Sequence, residues 1–363
     1  MKLGQICESS DQTIGGQGFN GSFFHACRGF FNTLVAACVV VGALGTAQGV
    51  QAENLRLAHF MSPQHVMHQE MMKPWAERVS EKTDGELTVE IFPARQLGGS
   101  PPAQYNMAVD GIADIAFGLQ GYTASNFPLT TVSELPGFAS DASDATAKLW
   151  TLWDDYLKQE YRDTKPLAIW TADINVIVSR DKPIRTLEDL EGMEVRTPSR
   201  FSGAVIKALG ATPVSMPVTE MYTSLERGVV DAVMIPASAV ESFELLEVAN
   251  YITTEAPLGF SPYFLAMNKG AYEGLPDDLR QSLDQTIGEP LSETGADGYA
   301  GERAAVMFSI RGSEDVEMVS ISEDERQRWL SAVEPAVERW LELAEEGGVR
   351  SEAEEMLQQL GIE

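Results

Sequence analysis

Arg196 is the side chain with the clearest chemical potential. It closes a short alternating run, Met193-Glu194-Val195-Arg196, and Thr197-Pro198-Ser199 follow it directly. A guanidinium stays charged at every physiological pH, and its planar fork of N–H donors matches the two oxygens of a carboxylate. Placed at the carboxyl end of a strand and facing a cleft, it would select an anionic small molecule. The residue pattern leaves that reading level with a structural one, in which Arg196 reaches the surface or pairs with Asp231 or Glu220. The histidines form the second group. His65 and His68 are three apart and can share a helix face, with His59 just upstream. A zinc site would need a further ligand and outer hydrogen-bonding partners that this pattern does not supply. The three are read as helix-surface or core histidines, with His59, near the end of a strand, kept as a polar cleft contact. Acidic pairs such as Asp154-Asp155 and Glu345-Glu346 read as solvated helix faces. No Gly-x-Ser-x-Gly elbow or phosphate loop accompanies them, so no catalytic set, cofactor or metal site is expected.

The elements around Arg196 alternate. A helix-like segment (202–209), a Gly-Ala-Thr-Pro turn, a short strand, another helix and a strand at 229–235 follow it. Strands alternating with helices of about ten residues predict a parallel, doubly wound sheet. Ligands of such sheets sit outside the carboxyl ends of the strands, which is where Arg196 falls. Upstream, strands are predicted at 55–60, 86–92 and 113–119, with Gln120-Gly121-Tyr122 in the loop beyond the third. A helix opening at Ser62-Pro63 should run to about Thr83 with a kink at Pro74, and an amphipathic helix should cover 141–161. Two strands, 166–170 and 175–180, are read as the first crossing between two lobes, and 261–268 as the return. A helical region (277–309), a strand (316–321) and a last helix (324–346) complete the chain as read. Two lobes joined by more than one strand imply a cleft and a hinge.

The formal charge is −28, with no basic stripe, which argues against a nucleic-acid partner. It does not forbid an anionic ligand, because exposed charges are screened beyond ~8 Å at physiological salt. The first 52 residues differ from the rest. An apolar run over 30–49 follows Arg28 and leads into Val50-Gln51-Ala52, the pattern of a secretory signal cut between Ala52 and Glu53. Its apolar core is shorter than the ~20 residues of a membrane span. Val35-Ala36-Ala37-Cys38 looks like a lipidation site, but Val39-Val40-Val41 carries the apolar run past the cysteine, so no lipid anchor is expected. Gly16-x-Gly18-x-x-Gly21 lacks a preceding strand and is read as a chance match to a dinucleotide fingerprint. Cys7, Cys27 and Cys38 all fall in this leader. The exported chain should therefore have no disulfide, thiol nucleophile or thiolate metal site.

An ordered series of motifs spans nearly all of the chain after the leader: LRLAHF, ELTVEIFPARQLGG, DGIADIAFG, KPIRTLEDLEGMEVRTP, LGATPVSMPVTEMYTSLERGVVD and MNKGAYEGLPDDLR. In this series the chain resembles the DctP-type substrate-binding proteins of TRAP (tripartite ATP-independent periplasmic) transporters. The resemblance implies an α/β, two-lobed periplasmic-binding-protein architecture with mixed sheets, hinge strands and a long C-terminal helical region. Lobe I would comprise 53–173 and 264–305, and lobe II 174–263 and 306–363, with the C-terminal helix packing across both. It implies a receptor that closes on an organic acid and hands it to a small and a large membrane subunit, without enzymatic activity or cofactor. It also gives Arg196, in Glu194-Val195-Arg196-Thr197-Pro198, the role of binding the ligand carboxylate. The chain departs from the family pattern in three places. It has no second Arg before Arg180 in the strand at 175–179, Val218 stands where an aromatic is frequent, and Ile235 stands where Asn is frequent. A less polar pocket is expected, suited to a monocarboxylate with an apolar or aromatic body. The expected walls are Trp170, Tyr122, Phe201, Val218 and Met234, with Gln120, Asn175 and His59 as polar contacts. Two other readings stay open here: an exported enzyme acting on such an acid, and a binding protein of an ABC or sensor system.

Overall fold

The computed structural model describes residues 52–362. Residues 1–51 of the leader, with its three cysteines, lie outside the described residues.

Ten strands form one mixed sheet. In chain order they are β1 (Glu53–Ala58), β2 (Leu87–Phe92), β3 (Ile115–Leu119), β4 (Thr164–Ser179), β5 (Glu194–Thr197), β6 (Thr212–Ser215), β7 (Ala232–Pro236), β8 (Tyr251–Thr253), β9 (Phe260–Asn268) and β10 (Glu317–Val319). The sheet order is β2-β1-β3-β9-β4-β7-β5-β6, with β8 pairing β4 and β10 pairing β8. β1, β2 and β3 are mutually parallel, as are β5, β6 and β7, while β9 runs antiparallel to its neighbours β3 and β4. The two parallel groups are the halves that the alternating sequence pattern foretells.

β4 joins the halves. The two strands expected at 166–170 and 175–180 are one strand of 16 residues. Its first part pairs with β9, its last part with β7 and β8, and the register breaks between Thr171 and Ile174. Asp173 sits in that break and is buried. Its carboxylate accepts the Ser238 N–H (3.3 and 3.4 Å) and faces the Arg303 guanidinium at 3.7 Å. The stretch expected to separate two strands is instead a bulge with a buried acceptor, where one residue fails to pair across the ladder.

Four expected helices are interrupted, each for a local reason. The helix at 62–83 is a π-helical turn, Met67–Met72, continued by an α-helix, Lys73–Lys82. Pro74 is the second residue of the latter and has no N–H with which to carry the hydrogen bonding of the π turn onward. The helix at 141–161 is α-helical over Ala142–Thr151 and then passes into a π turn and a 3₁₀ turn. The region at 277–309 is two helices, Asp277–Asp284 and Glu289–Arg311, parted by Gly288 at φ +87°. Pro335 divides the last expected helix into Glu323–Val333 and Ala336–Glu346. A further helix, Arg350–Leu360, had no assignment from the sequence.

The core is aromatic-rich, with Trp75, Trp170, Trp329 and Trp340 fully buried. The helix Glu289–Arg311 lies flat on β4 because Gly295 faces Trp170: a Cβ there would stand 2.8 Å from the indole Nε1. Trp340 ties the C-terminal helices to the segment after β3, donating to the Pro128 carbonyl and the Thr131 hydroxyl, both at 3.1 Å.

Candidate ligand-binding site

β5 ends at Thr197, and the capped helix Arg200–Ala208 begins at once, Ser199 Oγ accepting the Ser202 N–H. Arg196 therefore points off the carboxyl end of its strand, into the space between the sheet halves. It is 2 % exposed. Its Nε donates to the Met216 carbonyl (3.0 Å), Nη1 to the Met234 carbonyl (3.1 Å) and Nη2 to the Tyr122 hydroxyl (3.4 Å). A guanidinium has five N–H donors, so one on Nη1 and one on Nη2 remain. Burial lowers its pKa, and the phenols of Tyr122 and Tyr263 oppose that shift; no carboxylate acts on it. The structural alternative does not hold: Asp231 accepts the Glu194 backbone N–H (2.8 Å) instead.

Tyr122 comes from the other half of the sheet, in the 3₁₀ turn Gln120–Thr123 that follows β3. Its hydroxyl accepts the Val218 N–H at 2.9 Å as well as the Arg196 contact. Val218 opens the helix Val218–Glu226, whose first N–H groups have no partner within the helix. One phenol thus bridges a strand end in one half to a strand end and a helix start in the other.

These groups line a cavity with about 430 Å³ of empty space, its mouth included. Its walls are mainly apolar or aromatic: Phe60, Leu119, Val218, Ile235 and Phe243 among them. The phenols of Tyr122, Tyr263 and Tyr299 and the imidazole of His65 also face it. Burial pushes all three phenols above their ordinary range, so they are neutral. His65, 3 % exposed, is lowered to about 4 by burial and then by neighbouring His68, so it too is neutral near pH 7. Arg196 is the single formal charge on the lining.

Of the expected site residues, the structure brings Arg196, Tyr122 and Val218 to this cavity and places the others elsewhere. Trp170 is held under Gly295, stacked 6.0 Å from Tyr263 and so one layer behind the wall. Asn175 is also one layer back, donating to the Gly259 carbonyl (2.7 Å) and accepting from the Ser261 hydroxyl (3.3 Å), which does line the cavity. Gln120 is turned into the core, where it donates to the Tyr161 hydroxyl at 2.8 Å. The Met234 side chain is in the core, and only its carbonyl serves Arg196. Phe201 lines a neighbouring depression with Arg200, Leu343 and Glu346. His59 is fully buried, its Nε2 2.9 Å from His68 Nδ1, and burial lowers it to about 3. Among the described residues no group of three or more His, Cys, Asp or Glu side chains is placed to hold a metal ion.

Sequence reasoning missed Tyr263, Tyr299, Phe243 and Phe60 and read His65 as a helix-surface or core histidine rather than a lining residue. Ser261 and Tyr263, two apart on β9, face the cavity together, as strand periodicity requires. That alternation was legible, but which face met the cleft was not.

A cavity at the carboxyl ends of two parallel strand groups, joined by a shared strand and carrying one uncompensated cation, defines a small-molecule binding protein of the two-lobed type. The chain belongs to the family of bacterial extracellular solute-binding proteins, family 7 (DctP), whose model matches residues 57–343. It is similar to the outer membrane transporter protein TsaT of Comamonas testosteroni, 25% identical over 72% of this chain and 78% of that protein. It is also similar to the 2,3-diketo-L-gulonate-binding periplasmic protein YiaO of Escherichia coli, at 28% identity over 66% of this chain and 73% of that one. Among solved structures, a marine-metagenome TRAP solute-binding protein specific for aromatic acid ligands, in complex with metahydroxyphenylacetate, superposes with TM-score 0.80. It is 29% identical and covers 85% of this chain and 98% of its own. A TRAP solute-binding protein from Rhodoferax ferrireducens with copurified benzoate gives 0.76 at 30% identity, covering 85% and 98%. The chain is therefore a TRAP-type substrate-binding protein with a two-lobed α/β fold, a receptor and not an enzyme.

Proposed function

We propose that this protein binds a monocarboxylate with an apolar or aromatic body, anchors the carboxylate on Arg196, and delivers it to the small and large membrane subunits of a TRAP transporter. One observation carries the reading: a buried guanidinium with no carboxylate partner and two free N–H groups on adjacent nitrogens. An isolated buried charge is costly, and a ligand carboxylate would supply both the counter-charge and the missing acceptors. With Arg196 the lone charge on the lining, a second carboxylate on the ligand would be left without a partner. The mainly apolar walls favour a hydrocarbon or aromatic body, and the relatives solved with benzoate and metahydroxyphenylacetate are in keeping with that. The setting is the periplasm, reached by a signal cut near Ala52. The lobes would divide at 173/174, 263/264 and 305/306, a scheme supported by the change of partners along β4.

The test is a thermal-shift screen of mono- and dicarboxylic acids on purified protein, with native mass spectrometry of any acid carried through purification. Stabilisation grows with the logarithm of ligand concentration over Kd. Aromatic or branched monocarboxylates should raise Tm clearly and succinate should not. A screen in which only dicarboxylates or neutral sugars stabilise the protein would overturn the proposal.

A further inference from the structure

His65 lines the same cavity as Arg196, and the carboxylate reading gives it no part. It lies just before the π-helical turn Met67–Met72 and is 3 % exposed. The Met67 backbone N–H donates to its Nδ1 at 3.2 Å. An N–H can donate only to a nitrogen with a free lone pair, so in the neutral ring the proton sits on Nε2. That tautomer makes Nε2–H a donor, and among the described residues nothing accepts from it. The ring is held edge-on between Phe243 and Tyr299, each with its centroid 6.1 Å away. Both neighbours line the same cavity, so little rotational freedom remains. Arg196 is bonded to Tyr122 and to the Met216 and Met234 carbonyls, whereas His65 packs on Phe243 and Tyr299, so the two groups occupy different parts of the lining. The imidazole and the guanidinium therefore address different parts of one ligand.

We infer that His65 is a specificity-determining residue, whose Nε2–H selects acids carrying an acceptor oxygen, such as a phenolic or aliphatic hydroxyl, at the end of the body remote from the carboxylate. The inference rests on the carboxylate-receptor reading and adds a second polar contact to it. A site built to hydrogen-bond a substituent rejects the analogue lacking it, because the bound analogue shuts the donor off from water and leaves it unpaired.

The experiment is calorimetry of two acid series, benzoate with its 3- and 4-hydroxy derivatives and phenylacetate with its 3- and 4-hydroxy derivatives. Each is titrated into the wild type, His65→Asn and His65→Gln. The Asn carboxamide can still accept the Met67 N–H but offers nothing at the Nε2 position. Gln places an amide N–H near that position. In the wild type at least one hydroxylated acid should bind about tenfold more tightly than its unsubstituted parent. In His65→Asn that advantage over the parent acid, taken as the ratio of the two Kd values in the same variant, should shrink to within about twofold; His65→Gln should keep part of it. Equal binding of hydroxylated and parent acids by the wild type overturns the inference, and so does an advantage that survives in His65→Asn. A wild type that binds none of the six acids would instead overturn the underlying carboxylate-receptor reading.

Discussion

Tyr122→Phe tests whether the two sheet halves are coupled through a single hydroxyl. The substitution keeps the ring and its edge-on packing against Phe60 (6.4 Å between centroids), so no cavity opens. It removes the acceptor of the Val218 N–H (2.9 Å) and a contact to Arg196 Nη2 (3.4 Å). The second contact is long and worth little, so the effect should come from the first. A buried N–H left without an acceptor costs roughly 1–3 kcal/mol, and opening the cleft would let water replace the hydroxyl. The penalty then falls on the closed, liganded form and should raise Kd about 5- to 150-fold. It should appear mainly as faster dissociation, as for most changes within an interface. Stopped-flow fluorescence with the best acid from the screen measures both rates. A Kd within twofold of the wild type would refute the claim that Tyr122 couples the halves.

Three further outcomes follow from buried groups. Glu134 accepts from the Ser199 hydroxyl across the cleft and is raised by burial to about 7 from 4.5. A raised carboxyl favours the folded state fully below the unfolded pKa and loses that contribution as pH rises to the folded one. The stability difference between wild type and Glu134→Gln should therefore shift against the wild type by about 3 kcal/mol between pH 4.5 and 7.5, in urea melts at each pH; a difference flat with pH would contradict the assignment. His59 and His65 are lowered to about 3 and 4 from 6.5. Their contribution is complete above pH 6.5 and lost as pH falls through the folded values, so His59→Gln should lessen the fall in Tm from pH 6.5 to 4, and an unchanged slope would count against a buried neutral pair. Gly259→Ala would place a Cβ 2.0 Å from the Glu134 carbonyl oxygen, a backbone atom that cannot swing aside. A destabilisation of about 3 kcal/mol or more is expected, read as a fall in Tm; a shift near zero would mean that the segment between β8 and β9 gives way freely.

The strand–helix alternation from Met193 to Ile235 was legible because each element is short, regular and bounded by Gly or Pro. Arg196 was legible as a residue at a strand end, and its release from Asp231 was not, since that depends on which backbone N–H the carboxylate meets. β4 was read as two strands parted at 171–174, while the burial of Asp173 in that break rests on Ser238 and Arg303, far along the chain. Trp170 was assigned to the cavity as one of its expected walls. What withdraws it is Gly295, which brings a distant helix onto the indole. The lining residues Tyr263 and Tyr299 meet Arg196 only through the return of β9 and the long helix after it. Local periodicity records the face of each element and not which distant face it meets.

The most direct measurement is the calorimetric affinity of the best-bound acid for the wild type and Arg196→Ala. Removing one side of a buried charge pair costs ~2–5 kcal/mol, so Kd should rise at least about 30-fold. An acid that still binds Arg196→Ala within a few-fold of its wild-type affinity would contradict the account, because the carboxylate would then rest on some other group.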